Sequence, residues 1–196
     1  MHASTVLRWL ALAVVGLLLV PAASATTLVH MNLKDLATRA DRVFRGTVVG
    51  VDTGTVRAGG GELPTIVYRL RVDEAFKGQF DERKGQPVVE VRMVGAKGAL
   101  ESGSVRRLSV LRDLPQLRMG REYVLFTTRP SSVGLSTTVG LGQGAFTILG
   151  AGKEAQAVNA FNNLGLARGL DASILPGRGP VSYARLAQAI RAVLNQ

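Results

Sequence analysis

"TIVYRLRVDEAFKG", Thr65 to Gly78, sets the fold class. Ile66, Tyr68, Leu70 and Val72 fall on one side of the chain, and Val67, Arg69 and Arg71 fall on the other. That period of two is the signature of a β-strand, and Gly78 ends it. The same pattern extends on both sides. "RVFRGTVVGVDTG" reads as a strand from Arg42 to about Thr53, rich in β-branched residues. Gly59-Gly60-Gly61 then form a hairpin tip, because consecutive glycines do not hold regular structure cheaply. Val88 to Val94 is another alternating strand, and "REYVLFTTRP" is an apolar one closed by Pro130. "LSTTVGL" and "GAFTILG" read as a strand pair across the glycine run "VGLGQGAF", Val139 to Phe146. The links between strands are too short for helical crossovers, so the sheet is expected to be mainly antiparallel.

Helices flank these strands. Asn32 is placed to cap a short helix with Asp35 in its first turn, and Leu33, Leu36, Ala37 and Ala40 share one face. "KEAQAVNAFNNLGLARGL" has a helical pattern interrupted by Gly165 and Gly169. "VSYARLAQAIRAVLNQ" is amphipathic, with Tyr183, Leu186, Ile190 and Leu194 at helical spacing and Ser182 as cap. The expected fold is mainly β with flanking helices. It is a small antiparallel OB-like barrel of about six strands, with one N-terminal helix and one or two C-terminal helices; closure removes exposed edges. The expected layout is a signal peptide over 1–25, a barrel domain with its helix over 26–150, and a C-terminal helical extension over 151–196.

Composition bounds the function. The chain has 196 residues, 46% hydrophobic and 19% charged, enough apolar content for a core. The first segment reads as a targeting element. Arg8 precedes an apolar run from Trp9 to Val20, Pro21 breaks it, and Ala23-Ser24-Ala25 supplies the small-x-small pattern for signal peptidase. Cleavage between Ala25 and Thr26 would export the protein to the periplasm or the medium; an uncleaved anchor is the alternative. The chain contains no cysteine, which rules out disulfides and an anchor through a lipidated Cys. Cysteine-free exported chains point to a bacterial source. The net charge of +10 suits an anionic partner, or reflects Arg-rich coding with a solubility role. Export argues against nucleic acid as that partner.

Few catalytic chemistries remain. His30 is the one histidine beyond the leader, so neither a zinc site nor a Ser-His-Asp triad is expected. No G-x-S-x-G elbow occurs. Carboxylates can do acid/base work alone, and the candidates are Asp73, Glu74, Glu90, Asp113 and Glu122. Each has Arg or Lys nearby, so cross-strand ion pairs account for them equally well. No catalytic residue, cofactor site or metal site is assigned. A freed Thr26 nucleophile would need a buried terminus.

The glycine run lacks the strand, G-x-G-x-x-G and helix of a dinucleotide fingerprint. Gly140, Gly142 and Gly144 instead suit a structural turn where backbones approach closely. Gln143 would tie a neighbouring loop down, and Gly142→Val would mainly destabilise the fold.

The ordered set "LKDLATRADRVFRGTVVGVD", "VYRLRVDEAFKG", "VVEVRMVG", "MGREYVLFTTR" and "VGLGQGAFTIL" resembles a group of uncharacterised bacterial secreted single-domain proteins. Ala40-Asp41, Gly46, Lys77-Gly78, Gly120 to Phe126 and Gly140 to Gly144 carry that likeness. The layout is also loosely similar to netrin-like and TIMP-like OB barrels. The zinc-chelating N-terminal Cys of those inhibitors is missing here, so the likeness implies a barrel and no inhibitory mechanism.

The functional expectation is an exported, non-catalytic protein that binds another protein or an anionic cell-envelope component. The excursion from Ala96 to Arg118 is the candidate surface, with Arg106, Arg107, Arg112 and Arg118 as its contacts. The alternatives are a carrier of a small ligand or oligosaccharide in the barrel mouth, and a carboxylate-based hydrolase.

Overall fold

The computed structural model describes residues 29–95, 114–170 and 175–195. The expected leader and its cleavage site at Ala25 and Thr26 lie outside the described residues, as do Arg106, Arg107, Arg112 and Asp113. Helix α1 spans Leu33–Arg39. Asn32 Oδ1 accepts from the Asp35 N–H at 2.8 Å, and Asp35 Oδ2 accepts from the Asn32 N–H at 3.4 Å. This reciprocal capping satisfies two amides that the first turn would leave orphaned. At the other end the Lys77 ammonium donates to the carbonyls of Ala37 and Ala40, at 2.8 and 2.6 Å. A cation there complements the helix dipole.

Eight strands follow: β1 Arg42–Ala58, β2 Gly61–Lys77, β3 Asp81–Arg83, β4 Gln86–Val94, β5 Glu122–Thr127, β6 Ala145–Leu149, β7 Gln156–Asn159 and β8 Val181–Ser182. Helix α2, Tyr183–Leu194, closes the chain, with the Ser182 side chain accepting from the Arg185 N–H. All strands among the described residues belong to one sheet in the order β3-β4-β2-β1-β5-β6-β7-β8. Every neighbouring pair is antiparallel.

The sheet is open, which corrects the expected OB-like barrel. A barrel needs its first and last strands to pair, whereas β3 and β8 lie at opposite ends of the order. The layer nevertheless curls. Ser136, from the segment that bridges β5 through Thr138–Thr127, donates its N–H to the Arg92 carbonyl of β4 at 2.8 Å. The Arg92 N–H reaches Ser136 Oγ at 3.3 Å. Strands lie about 4.8 Å apart, so a flat β4-β2-β1-β5 layer would hold these groups far beyond bonding distance. The contact comes from a loop, and β6, β7 and β8 carry the sheet onward from β5 instead of closing it. Three register shifts between β1 and β2, at Val43/Phe44, Arg45/Gly46 and Val48/Gly50, mark bulges that sharpen the bend.

Both faces of the sheet are buried. Val43, Val124, Phe126, Phe146, Ile148 and Ala157 pack against α1 and α2 through Leu33, Leu36, Leu186 and Ile190. Phe44, Val48, Tyr68, Leu70, Val91, Tyr123 and Leu125 form the second cluster, with Phe80 set edge-on to Phe44. Central β5 contributes to both clusters. That explains why "YVLF" is continuously apolar rather than alternating.

Two further expectations need correction. The segment Lys153–Leu170 is not helical beyond a single 3-10 turn at Gly152–Glu154; it forms β7 and then a succession of turns. Asn162, Asn163, Gly165 and Gly169 there have φ of 53°, 57°, 79° and 80°, which no α-helix accommodates. "LSTTVGL" and "GAFTILG" do not pair with each other either. Both lie against β5, Thr138 opposite Thr127 and Ala145 opposite Leu125.

Candidate functional site

The glycine run is an excursion from one ladder. The chain leaves β5 at Val139, whose N–H bonds the Phe126 carbonyl at 2.8 Å, and rejoins it at Ala145. Between them Leu141–Gly144 makes a 3-10 turn, entered through Gly140 and Leu141 at φ 63° and 58°. The loop mouth closes so tightly that a Cβ on Gly144 would sit 2.4 Å from the Val139 carbonyl oxygen. The Leu141 and Gln143 amides bond the carbonyls of Thr138 and Gly140. Those amides are therefore spent within the turn and do not form an anion cradle. Gln143 is 2% exposed. Its Oε1 accepts from the Met31 N–H at 2.7 Å and its Nε2 donates to the Val29 carbonyl at 3.1 Å. Gly142 is buried in the same turn, and its carbonyl accepts from Ala160.

The four candidate carboxylates among the described residues are each paired with an arginine. Glu122 pairs with Arg45, Glu90 with Arg83, Asp73 with Arg71, and Glu74 with Arg191. Glu74 also accepts from the Tyr183 hydroxyl, and the Arg45 guanidinium lies 4.5 Å over the Tyr183 ring. Arg191 in turn stacks 5.3 Å over Phe76. Glu74 and Glu122 thus flank one Arg45–Tyr183 stack where α2 meets β1 and β2, while Glu90 lies out on β4. These are ion pairs within a strand, across strands and from strand to helix, and no two of the carboxylates face each other as a catalytic couple would. His30 stands apart from all of them, edge-on to Phe161 at 6.0 Å. Among the described residues no group of three His, Asp or Glu side chains gathers to hold a metal.

Burial, reinforced by Glu74, pushes the Tyr183 phenol above its ordinary value of 10, against the opposing pull of Arg45. The folded state therefore keeps a proton that the unfolded chain gives up. This contribution to stability is fully present below pH about 10 and is lost as pH rises beyond it. Between pH about 9 and about 11 the urea midpoint of the protein should fall more steeply than that of Tyr183→Phe. Parallel curves would show that Tyr183 carries none of the alkaline sensitivity.

Of the four arginines expected to form a binding surface, Arg118 is described. It begins a tight turn, Arg118–Arg121, closed by the Arg121 N–H on the Arg118 carbonyl at 3.1 Å. Val48 of β1 anchors the turn: its carbonyl accepts from Gly120 and its N–H donates to Arg121. Tyr123 accepts from the Arg118 N–H. The turn carries Met119 at 64% exposure between exposed Arg118 and Arg121, beside the bulged Val49 at 45%. Sequence reading missed Met119, Val49 and Arg121. The Met-Gly dipeptide after Pro115 was the available signal for the turn.

No protein-family model matches the chain, and no curated protein is similar to it. The resemblance to bacterial secreted single-domain proteins is therefore not supported, and the open sheet argues against kinship with netrin-like and TIMP-like barrels. Alternation, Lys-Gly strand ends and Gly-rich turns recur in many antiparallel sheets for physical reasons alone.

Proposed function

We propose that this is an exported, non-catalytic protein that binds an anionic component of the cell envelope. The observation that carries the reading is the Arg118–Arg121 turn, which presents two cations and an exposed methionine from a backbone anchored on β1. The charge balance supports it. Each ion pair uses one arginine and one carboxylate, so pairing leaves the excess of 24 basic over 14 acidic residues undiminished. A long-range attraction to anionic surfaces follows from that excess. The leader-like segment up to Ala25 supports placement in the envelope, and the arginine-bound state of Glu74, Glu90 and Glu122 favours binding over hydrolysis.

The test is co-sedimentation with phosphatidylglycerol vesicles and with lipopolysaccharide, using phosphatidylcholine vesicles as reference. Selective, salt-sensitive binding to the anionic targets is expected. Arg118→Gln combined with Arg121→Gln should weaken it about thirtyfold, at roughly 1 kcal/mol per cation. Equal binding to all three targets, or an unaffected double variant, would remove the reading.

A further inference from the structure

The segment Val29–Asn32 lies outside every strand and helix, yet its backbone is bonded on both sides. The Gln143 amide takes the Val29 carbonyl and the Met31 N–H. In a parallel ladder, one residue of the neighbouring strand bonds just such a C=O and N–H two positions apart, so the Gln143 side chain stands in for that residue. From the other side Arg168 donates to the His30 carbonyl at 2.8 Å, and the Leu166 carbonyl accepts from the Leu33 N–H at 3.0 Å. Glycines make room for the segment. A Cβ on Gly140 would lie 2.7 Å from Met31 Sδ, and one on Gly165 would lie 3.1 Å from His30 Cβ.

We propose that the Gly140–Gly144 loop and the Phe161–Arg168 turns form a groove that binds an extended peptide through its backbone. The chain's own Val29–Asn32 fills this groove as a detachable strap. Three features separate the strap from the core. It is held mainly by hydrogen bonds rather than by buried apolar area, since Val29 is 75% exposed and Met31 only partly buried. It pairs with no strand. Closure also leaves His30 Nδ1 buried without a partner, a cost that opening relieves. Segments bound in this way open locally, well below the free energy of global unfolding. Opening exposes the Gln143 amide and the two glycine walls to the same segment of a second copy of this chain.

Hydrogen exchange on the intact chain tests the first half. The Met31 amide should exchange at least about a hundredfold faster than the Val124 and Phe126 amides of β5. Equal rates would overturn the strap, because the segment would then open only with the core. The groove is tested with a labelled peptide covering residues 27–33. Met31→Pro removes the N–H that Gln143 accepts from and leaves the groove residues untouched. This variant should bind the peptide, the unmodified chain should bind it much more weakly, and Met31→Pro with Gln143→Met should not bind it. No binding to Met31→Pro, or binding that survives Gln143→Met, would overturn the groove. The exchange measurement needs no substitution, so it decides the strap even where a variant folds poorly.

Discussion

Gly144→Ala should lower the unfolding free energy by about 3 kcal/mol. The expected readout is a fall in urea midpoint at unchanged slope, the mark of altered stability without altered compactness. A Cβ at this position would sit 2.4 Å from the Val139 carbonyl oxygen, 3.1 Å from the Val139 nitrogen and 3.2 Å from the Phe126 carbonyl oxygen. All three are backbone atoms, so no side chain can swing aside. Relief requires opening the loop mouth, and that separates Val139 from Phe126 and disturbs the rejoining of β6 to β5. Gly59 provides the control. It lies at the hairpin tip with φ 61°, and a Cβ there would meet nothing within 4 Å. Gly59→Ala therefore carries only the conformational cost of a left-handed alanine, about 1 kcal/mol. Similar losses in the two variants would mean that the loop tolerates widening.

Asn163→Ala should cost about 4 kcal/mol. Asn163 is 1% exposed and bonds in four directions. Its Oδ1 accepts from the Asn159 N–H, its N–H donates to Asn159 Oδ1, and its Nδ2 donates to the carbonyls of Ala157 and Gly179. Alanine strands the Asn159 N–H and the Ala157 carbonyl in the interior and the half-buried Gly179 carbonyl at its margin, at roughly 1–3 kcal/mol for each buried group. Asn159 continues the network by donating to the Gln143 carbonyl at 3.0 Å, so the damage should reach the glycine loop. Asn162 separates backbone from network effects. It has nearly the same φ, 53° against 57°, but is exposed. Asn162→Ala should cost about 1 kcal/mol, and the difference in urea midpoint measures the buried network. Equal midpoints would show that water replaces the lost bonds.

These two positions mark the limit of what the sequence encodes locally. The Asn32–Asp35 cap, the alternation of Tyr68, Leu70 and Val72, and the amphipathic face of α2 all follow from spacing alone, and each forms. Spacing does not say which strands become edges. Closure into a barrel depends on where β4 ends up relative to β6, and alternation is blind to that. β7 was hidden because "QAVN" is too short to show a period. The turns after it were hidden because Asn162 and Asn163 resemble helix-tolerant polar residues until their φ values are known. The glycines of "GLGQG" marked a structural turn, but their spacing did not give its form, a 3-10 loop entered through Gly140 and Leu141 in the left-handed region. At the candidate surface Arg118 was visible as a charge. Met119 and Val49 became visible only through the turn and the bulge that expose them.

The ends of the sheet carry a different consequence. β3 has three residues and β8 has two, so this eight-stranded sheet finishes on its shortest strands at both edges. β3 is also charged throughout, as Asp81, Glu82 and Arg83. Unpaired strand edges are the templates on which sheets of separate molecules add to one another, and short, charged edges defeat that addition. The two ends of the sheet are thereby poor templates for edge-to-edge addition. The long β1 and β2 would be hazardous templates at an edge, and each is covered on its second side over part of its length: β5 pairs with Arg42–Thr47 of β1, and β4 with Thr65–Arg71 of β2. For the stretches of β1 and β2 that β4 and β5 cover, the hazard falls in the interval in folding before those strands dock on the hairpin.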